Sequence, residues 1–389
     1  MDEVRFDDRV VVVTGGGRGL GREYALFLAA RGAKVVVNDL GTGIDGRGAS
    51  TSPAHEVAEE IRLRGGQAVA DVHDVTTTLG ARAVAGAAVE RWGRLDVLVN
   101  NAGISVMRPL EDLSDEECRR VLDTHVGGTL NMLRAVWPHM VASGYGRIVN
   151  TCSDALFGDT GLSAYAAGKG GVLGLTTSPA AEGAPYGIKV NAVVPIAATR
   201  MSLEALQGDA PMTALLTDLF PARLVASVVA LLAHESVPFS GELLHAAGRR
   251  VGRIFLGATE GVLWKEDPTP ESIRDHLPAV RGTEGFRTPG SVSASMAFSL
   301  ERLGVGGGPE PLALDLTTPA PAPAPSTGSA PAPAPNTGSA PAPAPNTGSA
   351  PAPAPSTTST PAPSTASAPT TTPAPGASGP AALPVSETG

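Results

Sequence analysis

Val10-Val11-Val12-Val13-Thr14-Gly15-Gly16-Gly17-Arg18-Gly19-Leu20-Gly21, running on into Arg22-Glu23-Tyr24-Ala25-Leu26, decides the fold. An unbroken run of valines predicts a strand covered on both faces, and only glycines and an arginine separate it from a helical stretch. Glycine lets the main chain approach a pyrophosphate closely. A helix opening there turns its unpaired amides and its positive dipole end toward the anion. Alone such a loop is a weak signal, since a sharp turn with no ligand uses the same residues. Its place between strand and helix strengthens the reading of a dinucleotide-binding turn.

Outward from that turn the pattern repeats. Lys34–Asn38, Gln67–Asp71, Leu95–Asn100, Gly146–Thr151, Ile188–Val194 and Glu242–Leu244 read as further strands, alternating with helical stretches of a dozen residues or more. Largely apolar strands joined by crossover helices predict an α/β, doubly wound Rossmann fold with a seven-stranded parallel sheet. Ser114-Asp115-Glu116-Glu117 is a capping box, so a helix is expected to run onward past His125. Pro179 falls inside another helix, from about 164 to 182, and is expected to bend or end it. The polar stretch 40–52 is long for a strand-to-helix connection, which makes it a functional or mobile loop.

Composition divides the chain. Of its 35 prolines, 22 lie from Pro309 onward, where Phe, Trp and Tyr are absent. A ten-residue unit, Pro-Ala-Pro-Ala-Pro-(Ser/Asn)-Thr-Gly-Ser-Ala, begins at Pro321, Pro331 and Pro341. The expected division is a folded domain over 1–304, with 255–304 as its C-terminal extension, and a disordered Pro/Ala/Ser/Thr-rich tail over 305–389 acting as a spacer. A docking ligand for a proline-reading domain is the functional alternative for that tail. The net charge of −9 argues against nucleic acid as a partner. Cys118 and Cys152 make neither a disulfide framework nor a metal-ligand cluster, so no metal is expected. The acidic start lacks the zones of a secretory signal, no run is long enough to span a membrane, and the end, Pro-Val-Ser-Glu-Thr-Gly, has no peroxisomal Ser-Lys-Leu. A soluble cytoplasmic protein is expected.

The residues that carry chemistry fall at the carboxyl ends of the strands. Asp39 closes the second strand, where its carboxylate would accept hydrogen bonds from the adenine ribose and repel a 2′-phosphate; this favours NAD over NADP. Arg18, able to pair with that phosphate, keeps NADP open. Asp74-Val75 after the third strand and Asn100-Asn101-Ala102-Gly103 at the end of the fourth belong beside the same dinucleotide. Tyr165 and Lys169 stand four residues apart, on one face of a helix. A phenol with a pKa of about 10 is a poor base at neutral pH, but a neighbouring ammonium lowers it by roughly 1–3 units. Ser153 follows the fifth strand and is placed to reach the same substrate oxygen. A bare Tyr-x-x-x-Lys is weak, whereas its conjunction with the glycine loop, Asp39, Asn-Asn-Ala-Gly and a strand-end serine is not.

The whole resembles a classical short-chain dehydrogenase/reductase. The likeness rests on Thr-Gly-x-x-x-Gly-x-Gly at 14–21, Asn-Asn-Ala-Gly at 100–103, Ser153, Tyr-x-x-x-Lys at 165–169, and Val190-Asn191-Ala192 with Pro195. Within that family it is most similar to the (3R)-hydroxyacyl-CoA dehydrogenase region of the multifunctional enzyme of β-oxidation, a group also called hydroxysteroid dehydrogenases. Gly19-Leu20-Gly21-Arg22-Glu23-Tyr24-Ala25, Val35-Val36-Val37-Asn38-Asp39-Leu40-Gly41, Trp137-Pro138-His139-Met140 and His234-Glu235-Ser236 carry that likeness, from about Phe6 to Ala297. The resemblance implies Ser153, Tyr165 and Lys169 as catalytic residues. It implies Thr14, Gly15, Gly17, Arg18, Gly19, Leu20, Gly21, Asp39, Asp74, Val75, Asn101, Ala102, Gly103, Tyr165, Lys169 and Pro195 around NAD or NADP. Where most of the family has Asn-Val-x-Gly, this chain has His125-Val126-Gly127-Gly128. His125 is therefore either part of a proton relay or a helical His satisfied by a carbonyl.

The expected activity is reversible hydride transfer between nicotinamide and a secondary alcohol, on a 3-hydroxyacyl-CoA or sterol-like substrate. An NADPH-dependent ketoacyl or carbonyl reductase is the first alternative. A non-catalytic dinucleotide-binding scaffold is the second. The resemblance further implies a homodimer or homotetramer with a small-molecule substrate. Leu156, Phe157, Met201 and the loop to Phe220 are expected to form the substrate pocket.

Overall fold

The computed structural model describes residues 3–206 and 208–304. The proline-rich segment expected to be a spacer lies outside them. Seven parallel strands, β1 (Val10–Thr14), β2 (Lys34–Asn38), β3 (Gln67–Asp71), β4 (Val97–Asn100), β5 (Gly146–Thr151), β6 (Ile188–Ile196) and β7 (Leu243–Ala247), lie in the order β3-β2-β1-β4-β5-β6-β7. The chain winds outward to β3, then returns to set β4 against the other side of β1. That reversal opens a crevice beyond the carboxyl ends of β1 and β4, the place where doubly wound sheets hold ligands.

The sheet has one strand more than the seven expected. β8 (Arg250–Ile254) runs antiparallel along the edge of β7. Gly248, the first of the two turn residues, has φ +59°, and so permits the tight hairpin. Arginines at 250 and 253 and glycine at 252 hide this strand from a search for apolar runs.

Helices α1 (Gly19–Ala30), α2 (Ser52–Leu63), α3 (Thr78–Trp92), α4 (Asp115–Leu122), α5 (Gly128–Ser143), α6 (Ser163–Gly183), α7 (Arg200–Ala205), α8 (Ala210–Leu219) and α9 (Arg223–Ala233) follow the strands. β1 shows why its valines need no polar partner. Val11 and Val13 pack with Tyr24 and Leu28 of α1, Ile61 of α2 and Val229 of α9 in one core. Val10 and Val12 point into the other, with Val84 of α3, Met132 and Val136 of α5 and Ala180 of α6. Each fully buried valine contributes about 1.5–3 kcal/mol of transfer free energy. A polar residue at any of these positions would break the layer.

The Ser114 capping box forms: Ser114 Oγ accepts from Glu117 N at 3.3 Å and Glu117 Oε2 accepts from Ser114 N at 3.1 Å. α4 then passes through a wider π turn, Asp123–Gly127, into α5, so the helical path continues past His125. Pro179 does not end α6. Proline cannot donate to the carbonyl four residues back, and that oxygen, on Leu175, accepts from Asn150 Nδ2 at 3.1 Å instead. The long loop after β2 is tied in place, with Ser105 N donating to Ile44 O at 2.8 Å and Arg120 Nε to Asp45 O at 2.8 Å.

Beyond β8 come α10 (Pro270–Asp275), α11 (Leu277–Val280) and α12 (Val292–Arg302). Thr269 caps the first of these through Ser272 N at 3.2 Å. Among the described residues no helix is long and apolar enough to cross a membrane, and no group of three or more His, Cys, Asp or Glu side chains could hold a metal ion.

Candidate active site

A cleft of about 830 Å³ lies over the carboxyl ends of the strands, within the size range of small-molecule and cofactor sites. Its floor is the glycine turn. Gly15, Arg18, Gly19 and Leu20 line it, whereas Thr14, Gly17 and Gly21 stand behind. Thr14 Oγ1 accepts from the amides of Asn101 at 3.0 Å and Ala102 at 3.1 Å, locking the β1 and β4 ends together. A side chain on Gly21 would meet the Gly15 carbonyl oxygen at 2.1 Å, and one on Gly17 would meet Pro53 at 2.6 Å. These glycines are required by close main-chain packing. The first turn of α1 carries no acidic residue and no side-chain cap, so its amides at the cleft are unpaired.

Asp39 reaches back to the same turn. Its Oδ2 accepts from Gly17 N at 2.8 Å and its Oδ1 from Gly41 N at 2.7 Å. Arg18 donates from Nη1 to Thr42 O at 3.1 Å, which fastens the long loop to the glycine turn. Asp74 and Val75 form the next wall, and Asp74 Oδ1 accepts from Thr76 N at 2.9 Å. Asn131 of α5, which no motif singled out, holds that wall by donating to Val75 O at 3.2 Å and Thr76 O at 2.9 Å. Ala102, Gly103 and Pro195 complete this part of the lining.

At the other end stand Ser153, Tyr165 and Lys169, all lining the same cleft. Ser153 is the N-cap of a short 3-10 turn, Asp154–Phe157, and its Oγ accepts from Ala155 N at 3.2 Å. The hydroxyl hydrogen therefore remains free to donate into the cleft. Lys169 is buried, donates from Nζ to Thr151 O at 2.8 Å, and lies 5.5 Å from the centroid of the Tyr165 ring. The one-turn spacing on α6 thus produces the juxtaposition that the sequence predicted.

His125, in the π turn, packs edge to face on Tyr165 with centroids 5.2 Å apart. Its Nε2 lies 2.8 Å from Ile104 O, the contact expected of a helical His satisfied by a carbonyl. Burial first, and the Lys169 charge second, push its pKa down from 6.5 to about 3, against the opposing pull of the Ile104 bond. Gly103 leaves room for this ring, since a side chain there would come within 2.6 Å of Cε1. Burial also pushes the Cys152 thiol up, so it stays protonated at neutral pH.

Of the residues expected around the substrate, Met201 lines the cleft. Leu156 packs among Cys152, Ala192, Val194 and Leu243, and Phe157 is 73% exposed. Thr199 and Ile196, which carried no expectation as ligand contacts, are part of the lining. They come from the end of β6 and the loop that follows it.

The family described as short chain dehydrogenase matches residues 9–208. A short-chain type dehydrogenase/reductase of Mycobacterium tuberculosis is 40% identical over 284 residues, covering 73% of this chain and 97% of that protein. The peroxisomal multifunctional enzyme type 2 of Drosophila melanogaster is 40% identical over 314 residues, covering 79% of this chain and 51% of the fly protein. The chain thus spans about half the length of that relative. A solved 7α-hydroxysteroid dehydrogenase, in complex with NADH and 7-oxo glycochenodeoxycholic acid, superposes with a TM-score of 0.58 at 27% identity, over 64% of this chain and 98% of its own. With its glycine turn, its strand-end Ser153 and its Tyr165–Lys169 pair around one cleft, the chain belongs to the short-chain dehydrogenase family.

Proposed function

We propose that this protein is a nicotinamide-dependent oxidoreductase that interconverts a secondary alcohol and a ketone, acting on a 3-hydroxyacyl-CoA or sterol-like substrate. The observation that carries the reading is that Tyr165 and Lys169 line one cleft together with the glycine turn. The residues present suit a dinucleotide. Unpaired amides at the start of α1 suit a pyrophosphate, Gly19, whose nearest neighbour to an added Cβ would be Thr199 at 3.8 Å, keeps the approach uncrowded, and Asp39 at the end of β2 suits a ribose. When bound, the nicotinamide supplies the hydride acceptor or donor.

The chain's own residues handle the proton and the oxygen. Ser153 donates a hydrogen bond to the substrate oxygen, and Tyr165 takes the hydroxyl proton during oxidation or returns it during reduction. Lys169, held by Thr151, supplies the positive charge that stabilises the phenolate and a donor for the nicotinamide ribose. His125, neutral and carbonyl-bonded, buttresses the Tyr165 ring. Asp39 favours NAD over NADP. The remaining residues of the glycine loop, with Asp74, Val75, Asn101, Ala102, Gly103 and Pro195, shape the dinucleotide half of the cleft.

The likeness to the multifunctional enzymes supports the acyl thioester, and the likeness to the hydroxysteroid dehydrogenase supports the sterol-like alternative. The reading includes a cytoplasmic homodimer or homotetramer, checked by fractionation and by light scattering. Its test is a panel of acyl-CoA, steroid and small alcohols assayed with NAD and with NADP. Turnover of a 3-hydroxyacyl-CoA or a steroid alcohol with NAD supports it. Nucleotide binding with no turnover across the panel would replace it with the scaffold reading, and a strong preference for NADPH with ketones would replace it with the reductase reading.

A further inference from the structure

The residue after Ser153 is a carboxylate facing the reaction end of the cleft. Asp154 lines that cleft, and its Oδ1 is buried, with only the His245 imidazole nearby at 3.3 Å. A negative charge there opposes the negative charge that develops on the substrate oxygen at Ser153 and Tyr165. Something has to offset it.

The edge hairpin does so. His245 of β7 places Nε2 at 3.3 Å from Asp154, and Arg250 of β8 places Nη1 at 2.9 Å from His245 Nδ1. A guanidinium can only donate, so Nδ1 must be the accepting nitrogen of the ring. The ring proton then sits on Nε2 and points at Asp154. Gly252, directly across from His245 in the β7–β8 pair, makes room for this chain, since a side chain at 252 would meet the Arg250 guanidinium at 3.0 Å. His245 is 15% exposed and the Asp154 side chain 36%, so the contact lies at the partly open edge of the cleft.

We propose that His245 is a positioning residue for the proposed reaction: with Arg250 it holds and offsets the Asp154 carboxylate, fixing the turn that presents Ser153. The proposal rests on the oxidoreductase reading of the cleft. Removing His245 leaves Asp154 charged and unheld beside the reacting oxygen, so kcat falls while the dinucleotide half of the cleft, distant along the sheet, is unaffected.

The test uses the full chain with the best alcohol of the substrate panel. His245→Ala is expected to lower kcat about ten-fold with KM for the dinucleotide within about two-fold. His245→Gln, which keeps a donor toward Asp154, is expected to recover most of the loss. The double variant His245→Ala/Asp154→Asn, which removes the uncompensated charge, is expected to recover to within about three-fold of the parent. Imidazole nitrogen NMR of the parent, assigned by loss of the signal in His245→Ala, is expected to show Nε2 protonated and Nδ1 bare. An unchanged kcat in His245→Ala, or a loss that neither partner variant relieves, would overturn the proposal and leave the oxidoreductase reading intact. A parent that turns over no alcohol would overturn both.

Discussion

Lys169 holds its ammonium 5.5 Å from the Tyr165 ring centroid because the Thr151 carbonyl, at the end of β5, accepts from it at 2.8 Å. The lysine is thus fixed by the sheet, not only by its own helix. The positive charge cannot drift away from the phenol, and the pair stays poised at the strand ends where the glycine turn also opens.

The proposed preference for NAD rests on Asp39. Its two carboxylate oxygens are oriented by Gly17 N and Gly41 N, so the charge is fixed at the mouth of the dinucleotide half. The parent is expected to favour NAD over NADP by about ten-fold or more in kcat/KM, and Asp39→Ala to cut that ratio by about 10–100-fold. Steady-state kinetics with both cofactors checks this.

A pH effect on stability follows from His125. Its pKa falls from the usual 6.5 to about 3 on folding, because burial and Lys169 disfavour the charged ring. Between those two values the unfolded chain binds a proton that the native protein does not. The contribution to stability is therefore complete above about pH 6.5 and is lost as the pH drops below it, by about 2 kcal/mol between pH 7 and pH 5. Urea unfolding at both values, on the parent and on His125→Asn, checks it; the variant is expected to lose that share of the pH dependence.

Asn150 is a structural keystone under the site. Its Nδ2 serves Leu175 O at 3.1 Å and Thr176 Oγ1 at 3.0 Å, while its Oδ1 accepts from Asn100 Nδ2 at 3.0 Å. Asn150→Ala leaves the carbonyl that Pro179 cannot serve, and the Asn100 amide, unpaired in the interior. An expected cost of about 2–4 kcal/mol would appear as a lower urea midpoint at unchanged slope.

The valine runs at 10–13 and 35–37 are legible as covered strands because burial on both faces demands apolar residues at every position. β8 was not, because Arg250 and Arg253 lie on an edge where His245 and Glu242, respectively, receive them. For another reason, Pro179 does not end its helix. The rule that proline ends a helix assumes the freed carbonyl goes unserved, and only the folded sheet brings Asn150 to it. In the site, one helical turn fixes the relation of Tyr165 and Lys169, and their role was legible only in conjunction with the glycine loop, Asp39, Asn-Asn-Ala-Gly and Ser153. Asn131, Thr199 and the Asp154–His245–Arg250 chain depend on segments that meet only in three dimensions. Local pattern carries no trace of them.

The most direct measurement is turnover and dinucleotide affinity of Tyr165→Phe beside the parent, with the best alcohol of the panel. Removing one hydroxyl that takes the proton is expected to lower kcat by at least about a thousand-fold, while the dissociation constant for the dinucleotide stays within about three-fold. Turnover equal to the parent's in Tyr165→Phe would contradict the assignment of Tyr165 and Lys169 as the proton-transferring pair.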